Sequence, residues 1–171
     1  FINVQIVRFV EEDLIYTMLC AVLVFNFFNF RKKAKCFAGD VGAVSIAFVI
    51  LFLLGRLILE TGDWSYIIFL AVYGVDSVLT IIHRLMLHEN IELPHRKHMY
   101  QLMANELEIP HVVVSSVYMV LQLFIAAGLL WLPIDHWVYF FCVISCLMVI
   151  YVVLVKKYYP LHEAYLKQKK K

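Results

Sequence analysis

The chain has 171 residues, of which 63% are hydrophobic, and its mean hydropathy is +0.81. A soluble domain of this length does not need so much apolar surface, so the composition excludes the ordinary soluble classes and predicts an integral membrane protein. The formal net charge of +2 excludes no class of function until the cations are mapped onto the loops.

Five apolar segments, each close to the length that crosses a bilayer, follow one another along the chain. They cover residues 14–28, 41–59, 64–87, 111–132 and 137–155. Between and after them lie two polar loops, 29–40 and 88–110, and a polar tail, 156–171. The predicted fold class is therefore an all-α integral membrane protein with a single membrane domain. Because Phe1 is not a start methionine, we expect this chain to be the C-terminal part of a longer protein.

The cations predict the orientation of these segments. Thirteen of the fifteen lysines and arginines lie in the two long loops, at their helix ends, or in the tail. The short turns 60–63 and 133–136 contain none. The positive-inside rule therefore places both loops and the C-terminus in the cytoplasm.

The first polar loop runs into a single aspartate between two glycines, in the sequence NFRKKAKCFAGDVGA of residues 29–43. Asp40 follows a run of cations formed by Arg31, Lys32, Lys33 and Lys35. Two interpretations of Asp40 stay open: it caps the helix that follows, or it binds Mg²⁺ together with substrate phosphates. Lys33 and Lys35 are close enough in sequence to bind a diphosphate, whereas Arg31 and Lys32 are better explained as membrane anchors.

Asp76 lies in the middle of the third apolar segment. A carboxylate at this depth is costly, so it must face the helix bundle or water. Thr80, His83 and Arg84 follow at helical spacing, and Asp76, Thr80 and His83 share one face, which predicts a polar stripe towards the cytoplasmic end. The stripe is either a packing device or part of a functional site.

The second polar loop contains Pro94, a suitable helix start, and we predict an amphipathic helix over Arg96–Glu108. Its first turn contains His95, Arg96, Lys97 and His98. Free amides at a helix start favour anions, so a phosphate or nucleotide contact is reasonable here. Metal binding by His95 and His98 is the competing interpretation.

Together the two loops resemble the polyprenyl-phosphate N-acetylhexosamine-1-phosphate transferases. The family loop Pro-Ala-Lys-x-Phe-Met-Gly-Asp-x-Gly-Ser is similar to residues 34–43, with Asn26 or Asn29 upstream. The family's later loop, a proline followed by a histidine cluster, is similar to residues 94–98. The helix from Asp76 to His83-Arg84 is similar to the one that precedes that loop. Ala38 and Ala43 depart from the family's Met and Ser.

The resemblance implies a role for each candidate residue. Asp40 would bind Mg²⁺, with Mn²⁺ as the alternative, and would act in catalysis with Lys35 and Asp76. The substrate would be bound by Asn29, Lys33, His83, His95, Arg96 and His98. The expected partners are a UDP-sugar, undecaprenyl phosphate and the bilayer, with a homodimer left open and no nucleic acid expected.

The predicted function is transfer of an N-acetylhexosamine 1-phosphate from a UDP-sugar to undecaprenyl phosphate with release of UMP, in the bacterial cytoplasmic membrane. Because the family's paired aspartates lie upstream of the part matched here, we expect residues 1–171 alone to be inactive. The alternative is a transporter or structural membrane subunit in which Asp76 is a coupling carboxylate.

Overall fold

The computed structural model describes residues 1–31, 35–91 and 96–169, with side chains as far as Pro160. In these ranges the only regular secondary structure is helix, and there are no strands. The helices are α1 (Ile2–Gln5), α2 (Glu12–Asn29), α3 (Gly39–Thr61), a 3₁₀ helix (Trp64–Leu70), α4 (Ala71–Met86), α5 (Met99–Asn105), α6 (His111–Trp131) and α7 (His136–Lys169).

Five helical spans within the described residues are long and apolar enough to cross a membrane. They are Glu12–Asn29, Gly39–Thr61, Trp64–Met86, His111–Trp131 and His136–Pro160. The predicted all-α membrane class is therefore confirmed. The third span differs from a regular helix, because its first seven residues form the tighter 3₁₀ helix.

The chain divides into two compact units, Phe1–Ile67 and Ile68–Lys171. In the first unit, α2 has no buried residue, and the window that defines the α3 span is only 6% buried. Their apolar side chains therefore suit lipid contact. α3 ends at Thr61 because Gly62 adopts the left-handed conformation (φ 68°), which glycine accepts without steric cost.

In the second unit the short helix α5 lies among the spanning helices. Met99 and Leu102 are 3% and 1% exposed and pack with Tyr151 of α7. Val75 and Leu79 of α4 line the same cluster, with Met103, Leu154 and Val155. The chain between α4 and α6 therefore folds back into the bundle.

Two predicted segments need correction. The amphipathic helix predicted over Arg96–Glu108 is shorter, Met99–Asn105, because His98 is extended (ψ 145°) and Glu108 has a positive φ of 54°. The predicted tail from residue 156 is instead a continuation of α7 to Lys169. α7 starts at His136 because the Asp135 carboxylate accepts bonds from the amides of Trp137 (2.9 Å) and Val138 (3.1 Å).

Candidate functional site

Asp76 is the centre of a buried polar cluster in the second unit. It is 4% exposed and lies ten residues before the end of α4, about 15 Å along the helix axis. Its Oδ2 accepts a hydrogen bond from the Tyr118 hydroxyl of α6 at 3.0 Å. The carboxylate therefore joins two spanning helices inside the bundle.

The same carboxylate caps the start of α5. The amide of Met99 donates to Asp76 Oδ1 at 2.9 Å, and the amide of Tyr100 is 3.5 Å from Oδ2. His98, the residue in the N-cap position, makes no capping bond with its own side chain. The cap is thus supplied by another helix, and it fixes where the residues before α5 lie.

Thr80 extends the cluster to α7. Its hydroxyl lies 3.3 Å from Asp76 Oδ1 and 2.8 Å from the hydroxyl of Tyr151. Thr80 is fully buried and Tyr151 is 7% exposed. The Asp76–Thr80 part of the predicted stripe is confirmed, and its effect in the structure is to bind α4 to α7.

Aromatic rings surround the start of α5. The His98 ring stacks on Tyr100 (centroids 5.5 Å apart, 17° between planes), and Tyr100 meets Tyr118 edge-on at 6.4 Å. His98 Nδ1 is 3.8 Å from Asp76 Oδ1. The predicted nucleotide contact His98 is therefore held beside the buried carboxylate, with a stacked tyrosine face next to it.

Arg84 organises the residues that follow α4. It is 2% exposed, and its guanidinium donates to the carbonyls of Asn90 and Ile91 and to the Glu89 carboxylate. A guanidinium has five donors in a fixed fork, which suits several carbonyls at once. Arg84 therefore holds residues 89–91, at the start of the second polar loop.

Lys97 and Glu89 form an ion pair beside this arginine, and Lys97 Nζ also lies 3.1 Å from the Tyr159 hydroxyl. The bond from Lys97 and the nearby Arg84 lower the pKa of Glu89, against the opposing effect of burial. Burial lowers the pKa of Lys97, but its bonds to Glu89 and Tyr159 outweigh this effect and raise it. Both groups are therefore charged at neutral pH.

Three further residues of this unit were predicted to bind substrate: His83, His95 and Arg96. His83 contacts the Tyr159 ring of α7, with centroids 4.7 Å apart. Arg96 is exposed. His95 lies outside the described residues. The predicted substrate roles of these three residues stay predictions.

The Asp40 loop belongs to the first unit. Asp40 is exposed in the first turn of α3, and the N-cap position is held by Ala38, so Asp40 is not the N-cap residue. Asn29 Nδ2 donates to the Cys36 carbonyl at 2.8 Å, and the Lys35 amide donates to the Phe28 carbonyl at 2.9 Å. Asn29 therefore closes the loop.

Lys35 is exposed, and Lys33 lies outside the described residues. Arg31 donates to the Phe27 carbonyl at 2.7 Å and stacks over the Phe27 ring, which fits the membrane-anchor interpretation. The two loops belong to different units, so the predicted site that combines them stays a prediction.

Sequence reasoning missed two residues of the cluster, Tyr118 and Tyr151. Arg84 was recognised at helical spacing after Asp76 and Thr80, but its bonds to residues 89–91 were not predicted. The sequence signal for Tyr118 and Tyr151 was weak: a tyrosine deep in a spanning helix needs a partner for its hydroxyl.

Asp40 is the residue predicted to bind Mg²⁺. Its carboxylate lies at a helix start, and no bonded partner for it lies in the described part of the chain. Among the described residues, no group of three or more His, Cys, Asp or Glu side chains is arranged to hold a metal ion. An ion held by Asp40 would take further ligands from substrate phosphates and water.

No known protein family matches this chain, and neither does any curated protein or solved structure.

Proposed function

We propose that the protein is a transferase of the bacterial cytoplasmic membrane that moves an N-acetylhexosamine 1-phosphate from a UDP-sugar to undecaprenyl phosphate. The observation that carries the proposal is Asp40. It is exposed in the first turn of a membrane-spanning helix, directly after the basic loop that resembles the transferase motif. The end of a spanning helix is also the depth at which the phosphate of a lipid substrate lies.

The charges of this loop suit substrates with several phosphates. The first-turn amides of α3 and the nearby Lys35 favour anions. Asp40 alone would repel a phosphate, which is the reason to pair it with Mg²⁺. When bound there, Mg²⁺ would neutralise phosphate oxygens and ease the departure of UMP.

The reaction is a displacement at phosphorus. An oxygen of undecaprenyl phosphate attacks the phosphorus that bears the sugar, and a new P–O bond forms. The bond from that phosphorus to UMP breaks, and UMP leaves with the electron pair. The residues of the loop hold the charged groups in line, which is most of what phosphoryl transfer requires from a protein.

In this proposal the Asp76 cluster has a positioning role. Its carboxylate fixes the amides of Met99 and Tyr100 and thereby the preceding His98. His98 and Arg96 would bind the nucleotide part of the UDP-sugar, for which a stacked aromatic face beside a cation is suitable. Mutating Asp76 would therefore affect the UDP-sugar KM through the placement of α5.

The transporter alternative depends on Asp76 as a carboxylate that binds and releases an ion or proton. Its oxygens accept bonds from the Met99 amide and the Tyr118 and Thr80 hydroxyls, all inside the bundle. Such a partner set favours a fixed carboxylate over one that exchanges its ligand. This observation counts against Asp76 as the coupling carboxylate of a transporter.

The proposal is tested with the full-length protein purified in detergent. We expect UMP release from UDP-N-acetylhexosamines only when undecaprenyl phosphate and Mg²⁺ are both present, and its loss on addition of EDTA. Mass spectrometry of the lipid product should find the added sugar and one added phosphate. Folded protein that releases no UMP from any UDP-N-acetylhexosamine would contradict the proposal.

A further inference from the structure

A cavity of about 420 Å³ lies in the first unit, near the end of α3 that is distant from Asp40. It is lined by Arg8, Phe9, Val10, Glu11, Leu14, Phe52 and Arg56. These residues come from the segment after α1, the start of α2 and the last turns of α3. The cavity therefore combines charged and apolar walls at one end of two spanning helices.

The walls of the cavity are held by specific bonds. Asn3 Oδ1 accepts from the amides of Phe9 (2.9 Å) and Val10 (3.0 Å), and Asn3 is 5% exposed. The Phe9 carbonyl in turn accepts from Arg56 Nε at 3.2 Å. The segment that forms one wall is thus fastened to the helix that forms the other.

One nitrogen of the Arg56 guanidinium, Nη1, lacks an acceptor among the described residues, although the residue lies inside a membrane span. Its Nε and Nη2 donate to Phe9 and Glu60, but Nη1 donates to no residue in the described part of the chain. Its side chain is 42% exposed, and it lies five residues before the end of α3, about 7–8 Å inside the span. A guanidinium at that depth needs a polar partner, and lipid phosphate is the nearest one in a bilayer.

The cavity is lined by one exposed cation and one exposed carboxylate, Arg8 and Glu11. Arg8 and Glu11 form an exposed ion pair there, with side chains 63% and 82% exposed. A purely anionic headgroup would be repelled by Glu11, and an apolar molecule would offer no acceptor to Arg56 Nη1, which no residue in the described part of the chain bonds. Phe52 lies one turn deeper in α3 than Arg56, so the cavity becomes apolar in the direction of the bilayer centre.

We propose that this cavity binds a phospholipid whose headgroup has both a phosphate and a primary ammonium. The phosphate lies against Arg56 and Arg8, the ammonium donates to Glu11, and the glycerol end lies against Phe52 and Leu14. The site is on the membrane face opposite the Asp40 loop, since it lies at the other end of α3. The inference is independent of the transferase activity, so either can fail without the other.

The test is retention of defined lipids by the detergent-purified protein, measured by native mass spectrometry. Phosphatidylethanolamine is compared with phosphatidylglycerol, which lacks the ammonium, and with phosphatidylcholine, whose ammonium cannot donate a hydrogen bond. We expect phosphatidylethanolamine to be retained about tenfold better than either, since bonds between charged groups are the strong ones. Equal retention of the three lipids, or preference for either of the other two, would overturn the proposal.

Two variants assign the effect to the cavity. Glu11→Gln should remove the preference for phosphatidylethanolamine, and Arg8→Gln should weaken retention of all three lipids several-fold. Both side chains are largely exposed, so both variants should fold. Arg31→Gln, at the other end of α2, is the matched control and should change neither quantity. A preference that survives Glu11→Gln would also overturn the proposal.

Discussion

At the scale of single residues, Asp76 shows how a membrane protein accommodates a buried carboxylate. An ionised carboxylate at the bilayer centre costs about 2.5–3.5 kcal/mol on insertion scales. Here its oxygens accept from the Tyr118 and Thr80 hydroxyls and from the backbone of α5. These bonds offset part of that cost, and those from α5 and α6 link both helices to α4.

The Tyr118 bond gives the first prediction at this scale. Tyr118→Phe removes only the hydroxyl that donates to Asp76 at 3.0 Å, and we expect a loss of about 1–2 kcal/mol of unfolding free energy. The matched control is Tyr73→Phe, which contacts the same ring but is 51% exposed and makes no hydrogen bond to Asp76 in the described structure. Denaturant unfolding in detergent measures the stability of both variants. Equal stabilities of Tyr118→Phe and Tyr73→Phe would contradict a stabilising bond between Tyr118 and Asp76.

The sequence allowed part of this cluster to be predicted. Asp76 and Thr80 are four residues apart in a helix, so a shared face followed from the chain alone. Tyr118 and Tyr151 are 42 and 71 residues away from their partners, and no local pattern indicates such a pair. The acceptors of Arg84 are near it in sequence, but two of them are backbone carbonyls of the loop that follows, and residue types do not indicate which carbonyls a loop presents.

At the scale of elements, α5 is the feature that local sequence describes least well. An amphipathic helix was predicted in this loop, and its apolar residues Met99 and Leu102 are buried. The helix was nevertheless predicted to start at Arg96, because Pro94 is a suitable helix start. The cap comes from Asp76 on α4, so the helix starts at Met99.

The contact between α6 and α7 gives a prediction about packing. A Cβ at Gly128 would overlap the Tyr139 hydroxyl, which also donates to the Ile125 carbonyl at 3.0 Å. Gly128→Ala should therefore destabilise the protein by about 1–3 kcal/mol, as overpacking does. The control is Gly55→Ala in α3, where a Cβ meets nothing within 4 Å and should be neutral or stabilising by up to about 1 kcal/mol. Thermal unfolding in detergent measures the stability of both variants. A Gly128→Ala variant as stable as the unmodified protein would contradict this packing.

At the scale of the whole molecule, hydropathy and segment length were sufficient to predict the five spans. Their predicted ends agree with the structure within two residues, apart from the end of α7. That helix continues past the apolar segment because hydropathy limits what crosses a bilayer, and not how far a helix extends into water. Hydropathy and segment length do not predict whether the two polar loops form one site. The loops belong to different units, so their predicted pairing stays a prediction.

The proposed transferase activity depends on Asp40, and its most direct test is Mg²⁺-dependent UMP release by the Asp40→Asn variant of the full-length protein. Its matched control is Asp13→Asn, which removes an exposed carboxylate from the first turn of α2. We predict a fall on the order of 100-fold for Asp40→Asn and unchanged activity for Asp13→Asn, because only Asp40 would hold the metal at the phosphates. Unchanged UMP release in folded Asp40→Asn protein would contradict the account.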